Sequence, residues 1–338
     1  MRIAVAGGSG FVGKHLIKLL REKGDEVVLI SRSRHGGSIG KGGSSSGNGD
    51  GNGGDGNGEG NGNGGNGNGT DIDNSDGKRL QVFTWDELLK RRAELEGLDA
   101  IVNLSGESVN QRWTKAAKHR ILHSRLETAA LLGQLVDALE RKPAVVVNGS
   151  GMSIYGTSET DEYDERSPKR ITDFLASVVD QWEQAADAHI RGVRLVKLRI
   201  GLVLGTDGGA LPPMAMPYKL GVGGRVGSGR HWMSWIHVRD MARLIYYCVE
   251  NASVVGPVNA TGPKPVRNDE FGRALGYALG RPHWMPVPAV MLKLLFGELS
   301  VLLLEGQKVM PRAALDYGFH FKFNTLEEAL GELYGRKP

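Results

Sequence analysis

The stretch RIAVAGGSGFVGKHLIKLLREKG, residues 2–24, decides the fold of this chain. Its first part is an apolar run with the length of a buried strand, and apolar residues at helical spacing follow it. Between them the glycines recur as GxxGxxG, a pattern that allows a tight turn and a close approach of the backbone to a pyrophosphate. We therefore predict a strand, a phosphate-binding turn and a helix whose amino terminus faces a dinucleotide. The residues expected to contact it are Gly7, Ser9, Gly10, Phe11, Val12 and Gly13.

Further strand-like runs alternate with helix-like segments through the first 205 residues. The predicted strands are 2–7, 26–31, 80–84, 99–106, 144–151 and 194–205. Helical spacing of apolar residues recurs at about 113–140 and 172–190. Strands that alternate with helices are typical of a parallel sheet with helices on both faces. The fold class predicted is α/β, with a doubly wound parallel sheet.

The end of the second predicted strand indicates which dinucleotide binds. An NAD-selective site places an acidic residue there to bind the ribose 2′-hydroxyl, but this chain has Ser31 and Arg32. The Arg32 guanidinium can bind the 2′-phosphate of NADP, and the Ser31 hydroxyl adds a donor. We therefore predict NADP(H) as the cofactor. The alternative is that Arg32 is an ordinary surface charge.

Composition narrows the class of protein further. The chain has 338 residues, of which 40% are apolar and 24% charged, and its net charge of +4 is spread without a dense basic run. A soluble globular protein without a nucleic-acid partner is therefore expected. The most apolar stretch, 290–304, is interrupted by Lys293 and Glu298 and is shorter than a bilayer span. We expect a core helix there and no contact with a membrane.

The start of the first strand, the single cysteine and the motifs that are missing indicate the cellular compartment and exclude some kinds of catalysis. The first strand begins at Arg2 with no room for a leader, and the single cysteine, Cys248, lies in an apolar run and excludes an internal disulfide. We therefore expect a cytoplasmic protein. No HxxH, HExxH or CxxC spacing occurs, so no metal is expected. No G-x-S-x-G stands between a strand and a helix, which argues against a serine hydrolase.

The sequence resembles the extended, epimerase-like branch of the short-chain dehydrogenase/reductase superfamily, and within it the "epimerase family protein" subgroup. The resemblance covers nearly all residues outside 36–78. The motifs that carry it are GGSGFVG (7–13), SR (31–32), TWDEL (84–88), NLSGE (103–107), SRLET (124–128), YDERSP (163–168), LRIGLVLG (198–205), GSGRHWMSWIHVRDMA (227–242) and LLEGQKVMP (303–311). The fold implied is a Rossmann sheet, and the activity implied is an NADP-dependent oxidoreductase of unidentified substrate.

The pattern along the chain also suggests a domain organisation, because the sequence beyond residue 205 changes to loops rich in Gly and Pro and to shorter helices. Residues 1–205 would form the NADP-binding Rossmann domain, with 36–78 as a flexible Gly/Asn-rich insertion. Residues 206–338 would form a smaller C-terminal substrate-side lobe interleaved with that core, including a helix that enters with Asn268 as its N-cap. Relatives of this kind often pair through two long helices, so a homodimer through 113–140 and 172–190 is possible.

Further site residues follow from the resemblance. It implies that Leu104, Ser105 and Gly106 line the adenosine and pyrophosphate side of the cofactor. It also implies that Arg125 reaches the bound dinucleotide. On the sequence alone, an Arg on a helix of this length is more often a solvent-facing charge.

The catalytic residues of the superfamily, a Ser, a Tyr and a Lys, are missing from their aligned positions. Gly151 stands in place of the Ser, Leu175 in place of the Tyr and Val179 in place of the Lys, and no YxxxK occurs in the chain. We predict Tyr155 as a substitute general acid, with Ser150 as a second candidate. Other candidates to face the nicotinamide are Ser153, Glu107, Arg199 and His237.

Two functions remain open at this point. The first is an NADP(H)-dependent oxidoreductase or epimerase-like enzyme that acts on a small carbonyl or hydroxyl substrate without the standard triad. The second is a non-catalytic NADP(H)-binding protein that senses redox state, favoured by the loss of all three catalytic residues.

Overall fold

The computed structural model describes residues 1–33 and 80–336. The predicted insertion at 36–78 lies outside these ranges. In chain order the strands are β1 (Arg2–Ala6), β2 (Glu26–Ser31), β3 (Gln81–Thr84), β4 (Ala100–Asn103), β5 (Val145–Gly151), β6 (Glu162–Tyr163), β7 (Arg194–Ile200), β8 (Leu202–Leu204), β9 (Trp232–Met233), β10 (Trp235–His237), β11 (Gly256–Ala260), β12 (Val266–Arg267) and β13 (Lys308–Val309).

Helices connect and cover these strands. They are α1 (Phe11–Glu22), α2 (Lys115–Ala138), α3 (Phe174–His189), α4 (Leu211–Lys219), α5 (Val238–Glu250), α6 (Asn268–Leu279), α7 (Ala289–Phe296), α8 (Val301–Leu304), α9 (Arg312–Asp316) and α10 (Leu326–Tyr334). Short 3-10 turns lie at Trp85–Glu87, Arg92–Leu95, Met152–Tyr155 and Gly297–Ser300.

The main sheet confirms the predicted fold class. Its order is β11-β7-β5-β4-β1-β2-β3, and every neighbouring pair is parallel. Helices α1 and α5 pack together on one face, while α2 and α3 pack on the other. The order reverses between β1 and β4, so the loops that leave these two strands diverge and open a crevice at the carboxyl edge.

Successive side chains of β1 point to opposite faces of the sheet and contribute to the apolar clusters on both sides. Ile3 and Val5 belong to the cluster under α1 and α5, whereas Ala4 and Ala6 belong to the cluster under α2 and α3. All four side chains are fully buried. A strand covered on both faces reads as a continuous apolar run, as the sequence of β1 does.

The predicted strand 194–205 is in fact two strands. The chain leaves the main sheet at Gly201, where a Cβ atom would lie 2.5 Å from the carbonyl oxygen of Ser234. Leu202 then donates its backbone N–H to that same oxygen at 2.8 Å, and β8 pairs with β10. Apolar residues on both sides of the glycine hide this break from a reading of the sequence.

The C-terminal part of the chain has its own apolar cluster but shares the main sheet. Helices α4, α6 and α10 pack around Phe271 and Leu275, while β11 is an edge strand of the seven-stranded sheet. The division at residue 205 stays a prediction. The N-cap prediction was off by one residue, because Arg267 occupies that position and Asn268 accepts the Val226 N–H at 2.9 Å instead.

The expectation of a core helix at 290–304 is wrong. The segment breaks at Gly297, which has a positive φ of 56°, and only Leu292, Leu299 and Ser300 are buried within it. Leu294 is 83% exposed. An apolar segment is buried only where another part of the chain packs against it, and composition alone does not show whether such a part exists. Among the described helices, none is long and apolar enough to cross a membrane.

Candidate dinucleotide site and substrate cleft

The glycine-rich turn after β1 has the shape of an anion cradle. Gly7 has a φ of 79°, and a Cβ atom there would lie 2.7 Å from the carbonyl oxygen of Leu104 in the loop after β4. Gly10 donates its N–H to the Gly7 carbonyl at 3.0 Å, which closes the turn. Helix α1 has no side-chain N-cap, so the N–H groups of its first turn face the crevice without a side-chain acceptor.

The predicted cofactor residues lie together along this edge. Ser9, Gly10 and Gly106 are exposed, while the half-buried side chains among them line the crevice: Phe11, Val12, Ser31, Leu104, Ser105 and Arg125. Gly13 has a different place, since it is buried and packs α1 directly against the Gly7 and Gly8 backbone. Its contribution is close helix–strand packing.

The loop after β4 is held by a pair of buried amides. Asn103 donates its Nδ2 to Asn148 Oδ1 at 2.8 Å, and its own Oδ1 accepts the Ser105 N–H at 3.1 Å. Both asparagines are fully buried in the sheet. The backbone of residues 104–106 is therefore fixed opposite the Gly7 turn.

Arg32 stands free at the end of β2. Its side chain is 86% exposed, and among the described residues it pairs with Glu107 across the crevice, with Nη1 3.3 Å from Oε2. The Ser31 hydroxyl donates to the Ser33 carbonyl at 2.9 Å. An exposed ion pair at this distance holds Arg32 only weakly, so the guanidinium can exchange Glu107 for another anion.

Arg125 is a half-buried cation that has lost most of its hydration, and the charge of Glu107 acts on it only from beyond ion-pair distance. It lies on α2, its Nη1 donates to the carbonyl oxygens of Glu107 (3.1 Å) and Ile121 (2.8 Å), and its Cζ is 5.1 Å from the Trp182 ring. Among the described residues no carboxylate lies within ion-pair distance of it. Burial lowers the pKa of Arg125 to about 10. A desolvated cation beside the crevice favours an anionic ligand.

The corner where the superfamily places its catalytic groups is apolar here. Gly151 ends β5, and a Cβ atom on it would lie 3.0 Å from Val179 Cγ2 and 3.5 Å from the Ser153 hydroxyl oxygen. Leu175 and Val179 are buried on α3. Ser153 is half-buried and makes no side-chain hydrogen bond to another described residue. It therefore presents a free hydroxyl beside the position of the missing Ser.

Tyr155 and Ser150 lie in a buried hydrogen-bond network behind that corner. The Tyr155 hydroxyl donates to Asn259 Oδ1 and accepts from Arg199 Nη1, both at 2.8 Å, and the side chain is fully buried. Ser150 donates to Glu183 Oε1 at 2.7 Å. Burial raises the pKa of Tyr155 to about 12, even though Arg199 acts to lower it. The placement of both hydroxyls argues against direct proton transfer to a substrate.

The centre of this network is a buried ion pair. Arg199 binds both carboxylate oxygens of Glu183, with Nε 2.8 Å from Oε1 and Nη2 2.9 Å from Oε2. Burial acts to raise the pKa of Glu183, but the hydrogen bonds and charge of Arg199 outweigh it, and the pKa lies below its ordinary value. This bidentate pair joins α3 to β7.

Asn259 extends the network into the C-terminal segment. Its Nδ2 donates to the Met310 carbonyl at 2.9 Å, and its backbone N–H donates to Glu165 at 2.8 Å. Glu165 also accepts the Ala313 N–H at 3.0 Å. The network therefore fixes the segment after β13 against the sheet.

A cleft of about 600 Å³ opens at the amino end of α3, where Leu175 packs in one cluster with the cleft residues Trp113 and Phe174. It lies between the amino end of α3 and the turn after α7, and its size suits a small molecule. Its lining residues are Trp113, Lys118, Asp173, Phe174, Lys293, Gly297, Glu298, Ser300, Val301, Leu304 and Glu305. From the sequence we named neither Trp113, which belongs to the family motif RW (112–113), nor Phe174 as a site residue, although both directly follow predicted loops at the carboxyl edge.

The remaining candidates have structural roles. His237 ends β10 and caps α5, since its Nδ1 accepts the Arg239 N–H at 3.0 Å, and its Nε2 lies 2.9 Å from Glu332. Glu107 pairs with Arg32, as described above. Within residues 1–33 and 80–336 no three His, Cys, Asp or Glu side chains are grouped as metal ligands would be.

Comparison with known proteins places this site in a family. Residues 3–260 match the NAD dependent epimerase/dehydratase family, and residues 287–333 match a domain of unknown function, DUF1731. The chain belongs to the NAD dependent epimerase/dehydratase family. It is 35% identical to the epimerase family protein YfhF of Bacillus subtilis, over 98% of each chain. The predicted resemblance to the "epimerase family protein" subgroup is confirmed.

Solved structures agree with this family. A crystal structure of human epimerase family protein SDR39U1 (isoform2) with NADPH matches with a TM-score of 0.81, at 35% identity and over 99% of both chains. UDP-N-acetylglucosamine 4-epimerase from Bacillus cereus matches with a TM-score of 0.69 at 15% identity. The second match shows the fold alone.

Proposed function

We propose that this protein is an NADP(H)-dependent oxidoreductase that acts on a small carbonyl or hydroxyl compound. The observation that carries the proposal is Arg125, a largely desolvated cation with no carboxylate at ion-pair distance among the described residues, which lies against Gly106 in the loop opposite Gly7. The NADPH in the structure of the human relative supports the choice of cofactor. An anionic dinucleotide would supply the counter-charge that the described residues do not.

The chain's own residues suggest how the cofactor is held. The backbone of the Gly7 turn and the uncapped first turn of α1 would bind the pyrophosphate. Arg32 would exchange Glu107 for the 2′-phosphate, with Ser31 as a further donor. Residues 104–106 would line the adenosine and pyrophosphate side, and Arg125 would pair with an anionic group of the dinucleotide.

The apolar corner carries no Tyr or Lys to supply the one proton that carbonyl reduction takes up. When bound, the reduced nicotinamide supplies a hydride to a carbonyl carbon. Trp113 and Phe174 would pack against the substrate, and the free Ser153 hydroxyl would donate a hydrogen bond to its carbonyl oxygen and pass it one proton, which Ser153 regains from solvent water. Tyr155 and Ser150 would act indirectly, because they hold the turn that carries Ser153.

One observation favours a second function, a non-catalytic NADP(H)-binding redox sensor. Leu175 and Val179 fill the positions of the proton-transferring groups, and the Tyr155 hydroxyl is occupied by Arg199 and Asn259. Such a protein would bind the cofactor without turning it over.

Oxidation of bound NADPH, followed by its absorbance with a panel of carbonyl compounds, tests the proposal. We expect turnover of at least one compound, a loss of about 100-fold in Ser153→Ala and a change of less than about threefold in Tyr155→Phe. Because Tyr155→Phe removes a buried bond, its folding is checked by thermal melting. Decay of NADPH no faster than in solvent for every compound would instead support the sensor.

A further inference from the structure

Apolar side chains are exposed on one side of the C-terminal segment, which we call the apolar patch. It comprises Trp284, Met285, Val290, Met291, Leu294, Leu295, Phe296 and Leu302, together with Leu220 and Val222 of a neighbouring loop. The Trp284 indole N–H donates to the Gly221 carbonyl at 2.9 Å, so loop and patch are in contact. A cluster of this size exceeds the scattered apolar residues of an ordinary surface.

Helix α7 forms the most prominent part of the patch. Leu292 is its only buried side chain, while Val290 is 69% and Leu295 66% exposed. The pairs 290/294 and 291/295 are each four residues apart, so the exposed apolar surface covers about half of the helix circumference. Helix α7 therefore buries only a narrow side, at Leu292, and leaves the rest of its apolar surface exposed.

Basic side chains surround the patch. Lys293 lies within α7, Lys219 ends α4, and Arg225 is joined to the segment before α7 by a hydrogen bond from the Val287 N–H to its carbonyl. Among the described residues none of the three has an ion-pair partner. The acidic Glu298, by contrast, is neutralised by Lys118. The exposed carboxylate of Glu305 after α8 also has no ion pair among the described residues and binds only the Thr157 hydroxyl. Three unpaired cations against one unpaired carboxylate leave the surroundings of the patch net positive.

From this combination we infer that the patch docks on an anionic lipid bilayer surface. The apolar side chains of α7 would enter the boundary between head groups and acyl chains, and the three cations would contact lipid phosphates. Lys293 can extend its ammonium group to the head groups while its stem stays among apolar side chains. Half-exposed Trp284 suits the same interface. This revises the expectation, based on span length, that no membrane is contacted.

Self-association through the patch is less favourable. A two-fold contact places the same patch on both subunits, and would set the three unpaired cations of one copy against those of the other. The predicted dimer helices do not compete for this role, since α2 and α3 carry none of the large exposed apolar side chains of the described residues.

The docked orientation has a consequence for the cleft. Lys293, Val301 and Leu304 belong to the segment that carries the patch and also line the cleft. In a docked molecule the mouth of the cleft would therefore lie close to the lipid surface, where amphiphilic compounds concentrate.

Co-sedimentation of the full chain with vesicles tests the inference, with phosphatidylcholine alone compared against about one third phosphatidylglycerol. We expect binding to the anionic vesicles that falls as salt is raised, and a loss of about tenfold or more in Leu294→Glu/Leu295→Glu and in Lys219→Glu/Arg225→Glu. Val255→Glu, at a 56% exposed valine before β11, is the matched control and should bind as the wild type does.

Two further readouts complete the test. Brominated lipids should quench part of the tryptophan fluorescence, and Trp284→Phe should remove that part. No sedimentation with anionic vesicles, or equal loss in the Val255→Glu control, would overturn the inference. So would a wild-type dimer, seen by light scattering, that becomes monomeric in Leu294→Glu/Leu295→Glu while no form binds vesicles; that result would assign the patch to a second copy.

Discussion

Arg199→Met is expected to destabilise the fold by about 3–5 kcal/mol, which is the cost of leaving one member of a buried ion pair unpaired. Glu183 would keep its carboxylate in the interior but lose both of its guanidinium hydrogen bonds. Lys169 lies 3.7 Å from Glu183, yet its side chain is 40% exposed and compensates only weakly. Denaturant unfolding of both proteins at pH 7 measures the difference.

The stability of the same variant should also depend on pH differently from the stability of the wild type. In the wild type the pKa of Glu183 is lowered, so the stability it contributes is fully present above its unfolded pKa of about 4.3 and is lost as the pH falls through the folded pKa. Without Arg199, burial raises that pKa. The variant should therefore lose stability as the pH rises above about 4.3, where the contribution of Glu183 in the wild type is constant.

Two controls separate the ion pair from general damage. Lys142→Met removes an exposed ion pair to Asp137 and should change stability by less than about 1 kcal/mol. The double variant Arg199→Met/Glu183→Leu should recover much of the loss, because no charge is then left unpaired. A loss that is equal in single and double variants would contradict the account.

Arg125→Met is expected to weaken NADPH binding by about 10- to 100-fold, the range of one charge-assisted hydrogen bond. The apo protein should be at least as stable as the wild type, because burial already disfavours the charged form of Arg125 and lowers its pKa to about 10. The methionine can keep the apolar contact with Trp182. Calorimetric titration and a thermal melt of the apo protein measure the two effects.

Arg125→Met should weaken NADPH binding without lowering the stability of the apo protein, and this combination distinguishes a ligand-binding role from a structural one. Arg120→Met, an exposed position on the same helix, should leave both affinity and stability unchanged. If Arg125→Met lowers the apo stability by several kcal/mol and leaves NADPH affinity intact, Arg125 is a structural residue and its assignment to the dinucleotide is wrong.

The sequence predicted the structure correctly where the local pattern of residues determines it. The bounds of β2 were predicted as they are, and β1 and β5 within one residue, because buried parallel strands read as apolar runs between turns. The GxxGxxG pattern also predicted the Gly7 turn, and a side chain at Gly7 would clash with the backbone of Leu104. The edge of the sheet where we propose the dinucleotide binds could therefore be predicted from the sequence.

Contacts between distant residues could not be predicted in the same way. Tyr155 was chosen as an acid because a phenol follows β5, but its partners Arg199 and Asn259 lie 44 and 104 residues away. Likewise, the apolar run at 290–304 predicted burial, although no described segment covers Leu294. Both outcomes depend on which surfaces the fold brings together.

The most direct test of the central claim is calorimetric titration of the purified protein with NADPH and with NADH, beside Arg32→Asp. The account predicts tight binding of NADPH, binding of NADH weaker by about 10- to 100-fold, and loss of that preference in the variant. Equal affinity for both nucleotides would contradict the role of Arg32. Absence of binding to either would contradict the dinucleotide site itself.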